Sequence, residues 1–572
     1  MIELRDVTYA YPGADAPCVR GVTLDVAPGE IVAVVGPNGS GKSTLARLAA
    51  ASLLASGGSV AVDGRDPKAG AAERRACSML VGLVRQDPQD QIVSSRVFDE
   101  VAFGPCNLGL DPAEVRRRVA TSLEACGLSG YELRRTDALS GGEQQRLAFA
   151  GIVAMGTRYL VADEVTSFLD GPSRAEVREL LVDMAQAGRG VLFVTHEAAD
   201  VICADRVVLV EDGLVGWAGG VDELLSRADL LARSGMADDM LARVLSPLVA
   251  AGLSLGELRD AADEREAAER VAAFAIEHGV AEEAAAAMGA LRERRGGVAA
   301  LGMREASVVF EQGVHALNRC GVAVPAGTVM LMAGPSGSGK STALRVLAGV
   351  LEPDEGMATL MGKLVRPGMV GLSFQRPEEQ LFCATVSEEV AFAPSRAGIR
   401  GRDLQRRVDE MLEAFGLAAL RDRSPFQLSG GQARRVALAA VLSLGADAYV
   451  FDEPTAGLDG AGRARLRSLV RELADRGNAV VVVSHDVCEW LRVADDVVLL
   501  SHGRDVWEGA PAALMRYPAV LASAGLEMPL ALAIGSACAR RAPQAWPEAG
   551  QAWPEAAQET GEPLGGRGEA RP

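Results

Sequence analysis

The pattern G-x-x-x-x-G-K-[ST] occurs twice in this chain, and it restricts the fold more than any other feature. The first copy is Gly36-Pro37-Asn38-Gly39-Ser40-Gly41-Lys42-Ser43-Thr44, the second Gly334-Pro335-Ser336-Gly337-Ser338-Gly339-Lys340-Ser341-Thr342. Glycines let a backbone wrap a phosphate closely, with successive N–H groups pointing inward. The helix that follows adds the positive end of its dipole. Lys42 and Lys340 suit the β- and γ-phosphates, and Ser43 and Ser341 suit Mg2+. The apolar runs Ile31–Val35 and Val329–Ala333 read as buried strands, and residues 45–51 and 343–350 as helices. Two copies in one strand–loop–helix context are poorly explained as ligand-free turns. They specify a nucleoside triphosphate but not the class of enzyme that uses it.

The rest of the chain is duplicated with the loops. Gln86, Ser140, Asp163, Glu164, Asp170 and His196 recur as Gln375, Ser429, Asp452, Glu453, Asp459 and His485, each 289 positions later. The loops are offset by 298 positions (42 to 340), so the second half is nine residues shorter between its loop and Gln375. A length change in one surface loop explains this, and a period this long means domain duplication rather than a solenoid. Residues 1–222 and 301–510 read as two modules. Each alternates strand-like and helical patterns, as an α/β domain with a mostly parallel sheet does. Residues 223–300 read as a helical extension and linker, since 261–295 is rich in Ala, Glu and Arg and is closed by Gly296-Gly297. Residues 511–542 read as a second helical extension. Residues 543–572, which repeat Gln-Ala-Trp-Pro-Glu-Ala, read as a disordered tail.

Bulk properties exclude some classes. The formal net charge of −18 disfavours nonspecific nucleic-acid binding, which calls for a basic face. Nine cysteines are scattered without a C-x-x-C pair, so zinc and iron–sulfur sites have no sequence support. The N-terminus does not read as a signal peptide. No apolar run of membrane-spanning length is free of charge; the nearest, 519–539, contains Glu527 and Pro529 and reads as a packed helical tail.

Two further motifs narrow the chemistry. Leu139-Ser140-Gly141-Gly142-Glu143-Gln144-Gln145-Arg146 and Leu428-Ser429-Gly430-Gly431-Gln432-Ala433-Arg434-Arg435 each place Ser at a helix N-cap with exposed glycine amides, a ready anion site. Tyr159-Leu160-Val161-Ala162-Asp163-Glu164 and Tyr449-Val450-Phe451-Asp452-Glu453 end apolar runs in two acids. That puts carboxylates at the carboxyl end of a buried strand, where α/β sheets bind ligands. Asp163 and Asp452 would serve Mg2+, and Glu164 and Glu453 would polarise the attacking water.

With these motifs the chain resembles two ATP-binding-cassette (ABC) ATPase modules fused in tandem, over nearly all of 1–222 and 301–510. The resemblance implies a mostly parallel sheet core with an antiparallel edge and a helical subdomain. It implies ATP and Mg2+ as ligands, with Gln86 and Gln375 reaching the metal and the lytic water. Tyr11 and Phe310 would stack on adenine, and Asp170 and Asp459 would communicate between the halves. His196 and His485 would contact the γ-phosphate. The family's head-to-tail pairing would set Ser429, Gly430 and Gly431 against Lys42, and Ser140, Gly141 and Gly142 against Lys340. Both sites keep every one of these residues.

The segments after the glutamines are more specific. Gln86-Asp87-Pro88-Gln89-Asp90-Gln91 leads to Val97-Phe98-Asp99-Glu100-Val101-Ala102-Phe103-Gly104-Pro105. Its second copy is Gln375-Arg376-Pro377-Glu378-Glu379-Gln380, leading to Val386-Ser387-Glu388-Glu389-Val390-Ala391-Phe392-Ala393-Pro394. This pattern resembles the ATPases of energy-coupling factor (ECF) importers for vitamins or transition-metal ions. That implies two partners: an integral-membrane coupling component and a small substrate-binding membrane protein. No nucleic acid would be involved, and the chain would sit at the cytoplasmic face of the membrane. The alternatives are a soluble tandem ABC ATPase acting on ribosomes or nucleic acid, or a fused ATPase of another importer class.

Overall fold

A computed structural model describes residues 1–14, 16–167, 169–259, 261, 264–288, 291–292, 297–310, 313–374, 380–428, 430–516 and 519–541. The chain divides into two compact units. One comprises residues 1–261 with 457–463, the other 262–456 with 464–572.

In the first unit the apolar run Ile31–Val35 is a fully buried strand at the interior of a six-stranded sheet. The order across that sheet is Val81–Val84, Tyr159–Asp163, Gly190–Val194, Ile31–Val35, Arg206–Glu211, Leu214–Gly219. The first five strands run parallel and the last pairs antiparallel. A second, antiparallel sheet is built from Val19–Val26, Ile2–Tyr9 and Gly57–Val62. The inner faces of both sheets and the helix Lys42–Ala49 enclose one core, with Ile2, Leu4, Leu45, Leu48, Val34 and Leu192 almost wholly buried. The parallel strands read as continuous Val/Ile/Leu runs because both their faces are covered. The helix Lys42–Ala49 starts three residues earlier than the apolar periodicity alone indicates.

The second unit repeats this plan. Its six-stranded order is Gly371–Ser373, Ala448–Asp452, Ala479–Val483, Val329–Ala333, Asp496–Ser501, Arg504–Gly509. A four-stranded antiparallel sheet accompanies it. In both units the central strand is flanked by strands of later sequence, so its carboxyl end opens at a topological switch point, where α/β sheets bind ligands.

The alanine-rich segment between the modules forms the helices Glu264–Glu277 and Ala281–Ala287. The former lies against Leu530–Arg541, within the second unit. The apolar stretch 519–539 is broken into Ala519–Ser523 and Leu530–Arg541 around Gly525 and Pro529. No helix among the described residues is long and apolar enough to cross a membrane.

Candidate active site

Each phosphate loop connects a central strand to its helix through glycines that no other residue could replace. Gly41 and Gly339 sit at φ 102° and 101°, and a Cβ there would meet the carbonyl oxygens of Cys18 and Ala316 at 2.4 Å. A Cβ on Gly36 would lie 2.1 Å from the Val210 carbonyl oxygen. The loop therefore needs both left-handed backbone and bare space. Lys42 Nζ donates to the carbonyl oxygens of Gly36 (2.8 Å) and Pro37 (2.9 Å), and Lys340 Nζ to those of Gly334 (2.7 Å) and Pro335 (2.8 Å). Each lysine thus lies across its own loop. Burial pushes the Lys42 ammonium below its ordinary pKa, opposed by the negative charges of Glu164, Asp459 and Asp163. The Ser40 hydroxyl is buried in the loop without a hydrogen-bond partner. A buried donor left open inside an anion-shaped turn fits a phosphate ligand.

The two acids stand where the strand ends. Ser43 Oγ donates to Asp163 Oδ1 at 2.9 Å, bringing together the two groups assigned to Mg2+. Burial raises the Asp163 carboxyl above its ordinary pKa; the Ser43 hydrogen bond opposes this and the Glu164 charge adds to it. Asp452 is raised the same way, with Ser341 opposing. Such hydroxyl–carboxylate pairs, held short of water, are suited to a hard divalent cation.

Glu164 behaves in the opposite sense. Burial would raise it, but the His196 hydrogen bond and charge, then Lys42, outweigh burial and hold it below its ordinary value. Gln86 Nε2 donates to Glu164 Oε2 (2.9 Å), and His196 Nε2 lies 2.7 Å from Glu164 Oε1. The structure thus gathers the glutamine, the glutamate and the histidine around one carboxylate, while His196 Nδ1 is buried without a partner. In the second unit Glu453 is also held low, burial being outweighed by the charge and hydrogen bonds of His485. There the contacts are His485 Nδ1 at 2.8 Å and the His485 backbone N–H at 2.9 Å. Both glutamates occupy left-handed backbone, φ 51° and 46°, which costs a non-glycine residue on the order of 1–2 kcal/mol.

The remaining sequence assignments fall as follows. Ser140 caps the helix Gly141–Met155 in a capping box with Glu143, as its motif predicts. Gly430 opens the equivalent helix Gly430–Ser443, with Gly431 in its first turn. Asp170 caps Gly171–Gln186 through Ser173 N–H. Asp459, in the segment 457–463 that belongs to the first unit, accepts from the Asn38 backbone N–H at 2.8 Å. Arg463 in that same segment lies 2.6 Å from Glu197, whose carboxyl is buried yet held strongly ionised by Arg463 and Arg174. Tyr11 is part-exposed, its hydroxyl 3.2 Å from Thr44 Oγ1 and its ring edge-on to Tyr9. Phe310 is exposed at the end of strand Ala299–Phe310. Gln375, Glu379 and Ser429 lie outside the described residues.

Sequence reasoning missed Glu197, Arg463, Asp200 and Glu489. The 289-residue offset was available as a signal, since it pairs Asp200 with Glu489 and Thr166 with Thr455.

Comparison with known proteins agrees with this geometry. The family model for ABC transporter matches residues 19–167 and 317–456. A protein of Bifidobacterium longum named as an ABC transporter ATP-binding protein is 33% identical over 546 residues, covering 90% of this chain and 67% of its own. One of the same name from Methanosarcina acetivorans is 32% identical, covering 92% of this chain and 89% of its own. Among solved structures, an archaeal ribosome recycling factor, in complex with an archaeal ribosomal stalk protein, aligns with a TM-score of 0.59. It is 22% identical and covers 91% of this chain and 92% of its own, a likeness of fold alone. With two phosphate loops, two acid pairs and two family matches in one polypeptide, the chain belongs to the ABC transporter ATP-binding family, and it is a tandem ABC ATPase.

Proposed function

We propose that this ATPase is the energy-coupling subunit of an ECF-type importer, driving uptake of a vitamin or metal ion through membrane partners. The observation that carries the reading is a matched pair of exposed apolar side chains in the segment that follows each glutamine. In the first unit the turn Pro88–Asp90 leads past Val93 to the helix Val97–Asn107, where Phe103 is 54% exposed. Their counterparts 289 positions on are Phe382, 58% exposed, and Phe392 on the helix Val386–Arg396, with ring centroids 4.6 Å apart and edge-on. Large apolar side chains kept at the surface in both modules suit a partner that covers them. The relatives' names, which refer to ABC transporters, support a transport role.

In this reading each phosphate loop, residues 36–44 and 334–342, cradles the β- and γ-phosphates of ATP. Tyr11 and Phe310 flank the base. Ser43 with Asp163, and Ser341 with Asp452, would hold Mg2+, together with Gln86 and Gln375. When bound, the ion would neutralise phosphate charge. Glu164 and Glu453 accept a proton from the attacking water, with His196 and His485 orienting them. Their depressed pKa values keep both carboxylates ionised at neutral pH. The serine–glycine turns at 140–142 and 429–431, with Asp170 and Asp459, are the remaining ATP-binding residues of this reading, which places the chain at the cytoplasmic face of the membrane.

Affinity purification from detergent extracts tests the role. An integral-membrane component and a small membrane protein should co-purify. Phe103→Ala with Phe392→Ala should release them while basal ATPase persists. Association with ribosomes and no membrane protein would contradict it.

A further inference from the structure

In each module an acid stands four residues after the histidine: Asp200 in the first, Glu489 in the second. Neither has a role in the chemistry described so far, yet both are largely buried, Asp200 at 1% exposure. Each makes the same two contacts. Thr166 Oγ1 donates to Asp200 Oδ2 at 2.6 Å, and Thr455 Oγ1 to Glu489 Oε2 at 2.7 Å. Arg178 lies 3.6 Å from Asp200, and Arg467 lies 3.0 Å from Glu489. Thr166 and Thr455 are each two residues beyond the left-handed glutamate. The acid therefore ties the loop that carries Glu164 or Glu453 to the loop that carries His196 or His485. A strained turn persists only where its surroundings hold it, and these hydroxyl–carboxylate bonds join the backbone bonds of Glu164 N–H to Val194 and of Glu453 N–H to Val483 in that hold.

The two acids differ by one methylene, and the residue before each histidine responds. Thr195 gives its single O–H to Asp200 at 2.8 Å. Ser484, its counterpart, gives its O–H to the catalytic Glu453 at 3.4 Å. A hydroxyl has one proton to donate, so in the first module the short acid takes the donor that in the second reaches the glutamate.

We infer that Asp200 and Glu489 are positioning residues for ATP hydrolysis: each holds the loop of the catalytic glutamate against the loop of the histidine. The inference rests on Glu164 and Glu453 being the general bases of the proposed function.

Steady-state ATPase assays on the full chain test it. Asp200→Asn and Glu489→Gln should each lower kcat about tenfold, the scale of a modest misplacement at a reacting centre, with KM for ATP within about twofold. Thr166→Val and Thr455→Val, which preserve side-chain volume, should reproduce the loss. Adding Thr166→Val to Asp200→Asn should cost nothing more. The length swaps Asp200→Glu and Glu489→Asp, which keep the carboxylate, should keep most of kcat. A kcat within twofold of wild type in the Asn, Gln and Val variants, a KM that rises in step with lost kcat, or length swaps that lose as much kcat as the Asn and Gln variants would overturn the inference. Should Glu164→Gln and Glu453→Gln themselves retain turnover, the assignment of the bases fails instead.

Discussion

At the scale of single residues, two adjacent carboxylates carry opposite loads. Burial leaves Asp163 above its ordinary pKa, so its ionised form costs stability at neutral pH; that cost fades as pH falls through the raised value and is gone below the ordinary carboxylate value. Glu164 is depressed by His196 and Lys42 against its burial, so it stabilises the fold above its ordinary pKa and loses that contribution as pH falls through its lowered value. Thermal melts without nucleotide should therefore separate the pair. At pH 7, Asp163→Asn should raise Tm and Glu164→Gln should lower it, each by about 2–4 °C, the shift 1 kcal/mol produces in a domain of this size. Both differences should shrink in acid, and equal signs at pH 7 would contradict the assignment. The sequence announces these acids through the apolar run before them. It does not announce their backbone, because nothing in an Asp–Glu pair signals a left-handed φ of 51° or 46° at the glutamate. Nor does it say that His196 turns Nε2 to its glutamate while His485 turns Nδ1. That choice depends on ring packing, which no motif encodes.

At the scale of elements, strand–loop–helix units were legible because glycine spacing and apolar runs are local signals. The linker was legible only in part. Its alanine and glutamate content indicates helix, but which body a helix joins depends on its buried face. On Glu264–Glu277 that face is Ala267, Ala268, Val271, Ala272 and Ala275. It packs on Leu530–Arg541, whose Leu532 and Ile534 are fully buried. Arg540 and Arg541 reach Glu269 at 2.5 and 2.7 Å across the rim, contacts worth roughly 0–1 kcal/mol because they are exposed. The apolar face holds the pair. A chain ending at Pro529 should lose that cover, and trypsin should cut at Arg265 and Arg270 on the order of tenfold faster, as local opening becomes easy. A chain ending at Arg541 should stay protected. Equal cleavage of the two would show that the helix pair does not hold the linker.

At the scale of the whole molecule, duplication is the organising fact. Two copies of each loop, acid pair and serine–glycine turn made the family legible from motifs alone, because the copies check one another. The copies also expose what has drifted: Asp200 against Glu489, Val93 against Phe382, Thr195 against Ser484. That segment 457–463 belongs to the first unit is not written in its own seven residues; only the family resemblance gave Asp459 a role between the halves. The charge of −18 disfavours nonspecific nucleic-acid binding, and the exposed Phe103, Phe382 and Phe392 are the surface on which the proposed membrane coupling rests. The account stands on ATP being hydrolysed at the two carboxylates beside the phosphate loops. The direct measurement is ATP binding and turnover by the Glu164→Gln, Glu453→Gln double variant of the full chain. The account predicts ATP binding close to that of the unaltered protein and turnover lower by at least about a hundredfold, the contribution expected of a general base. Turnover at the unaltered rate would contradict it.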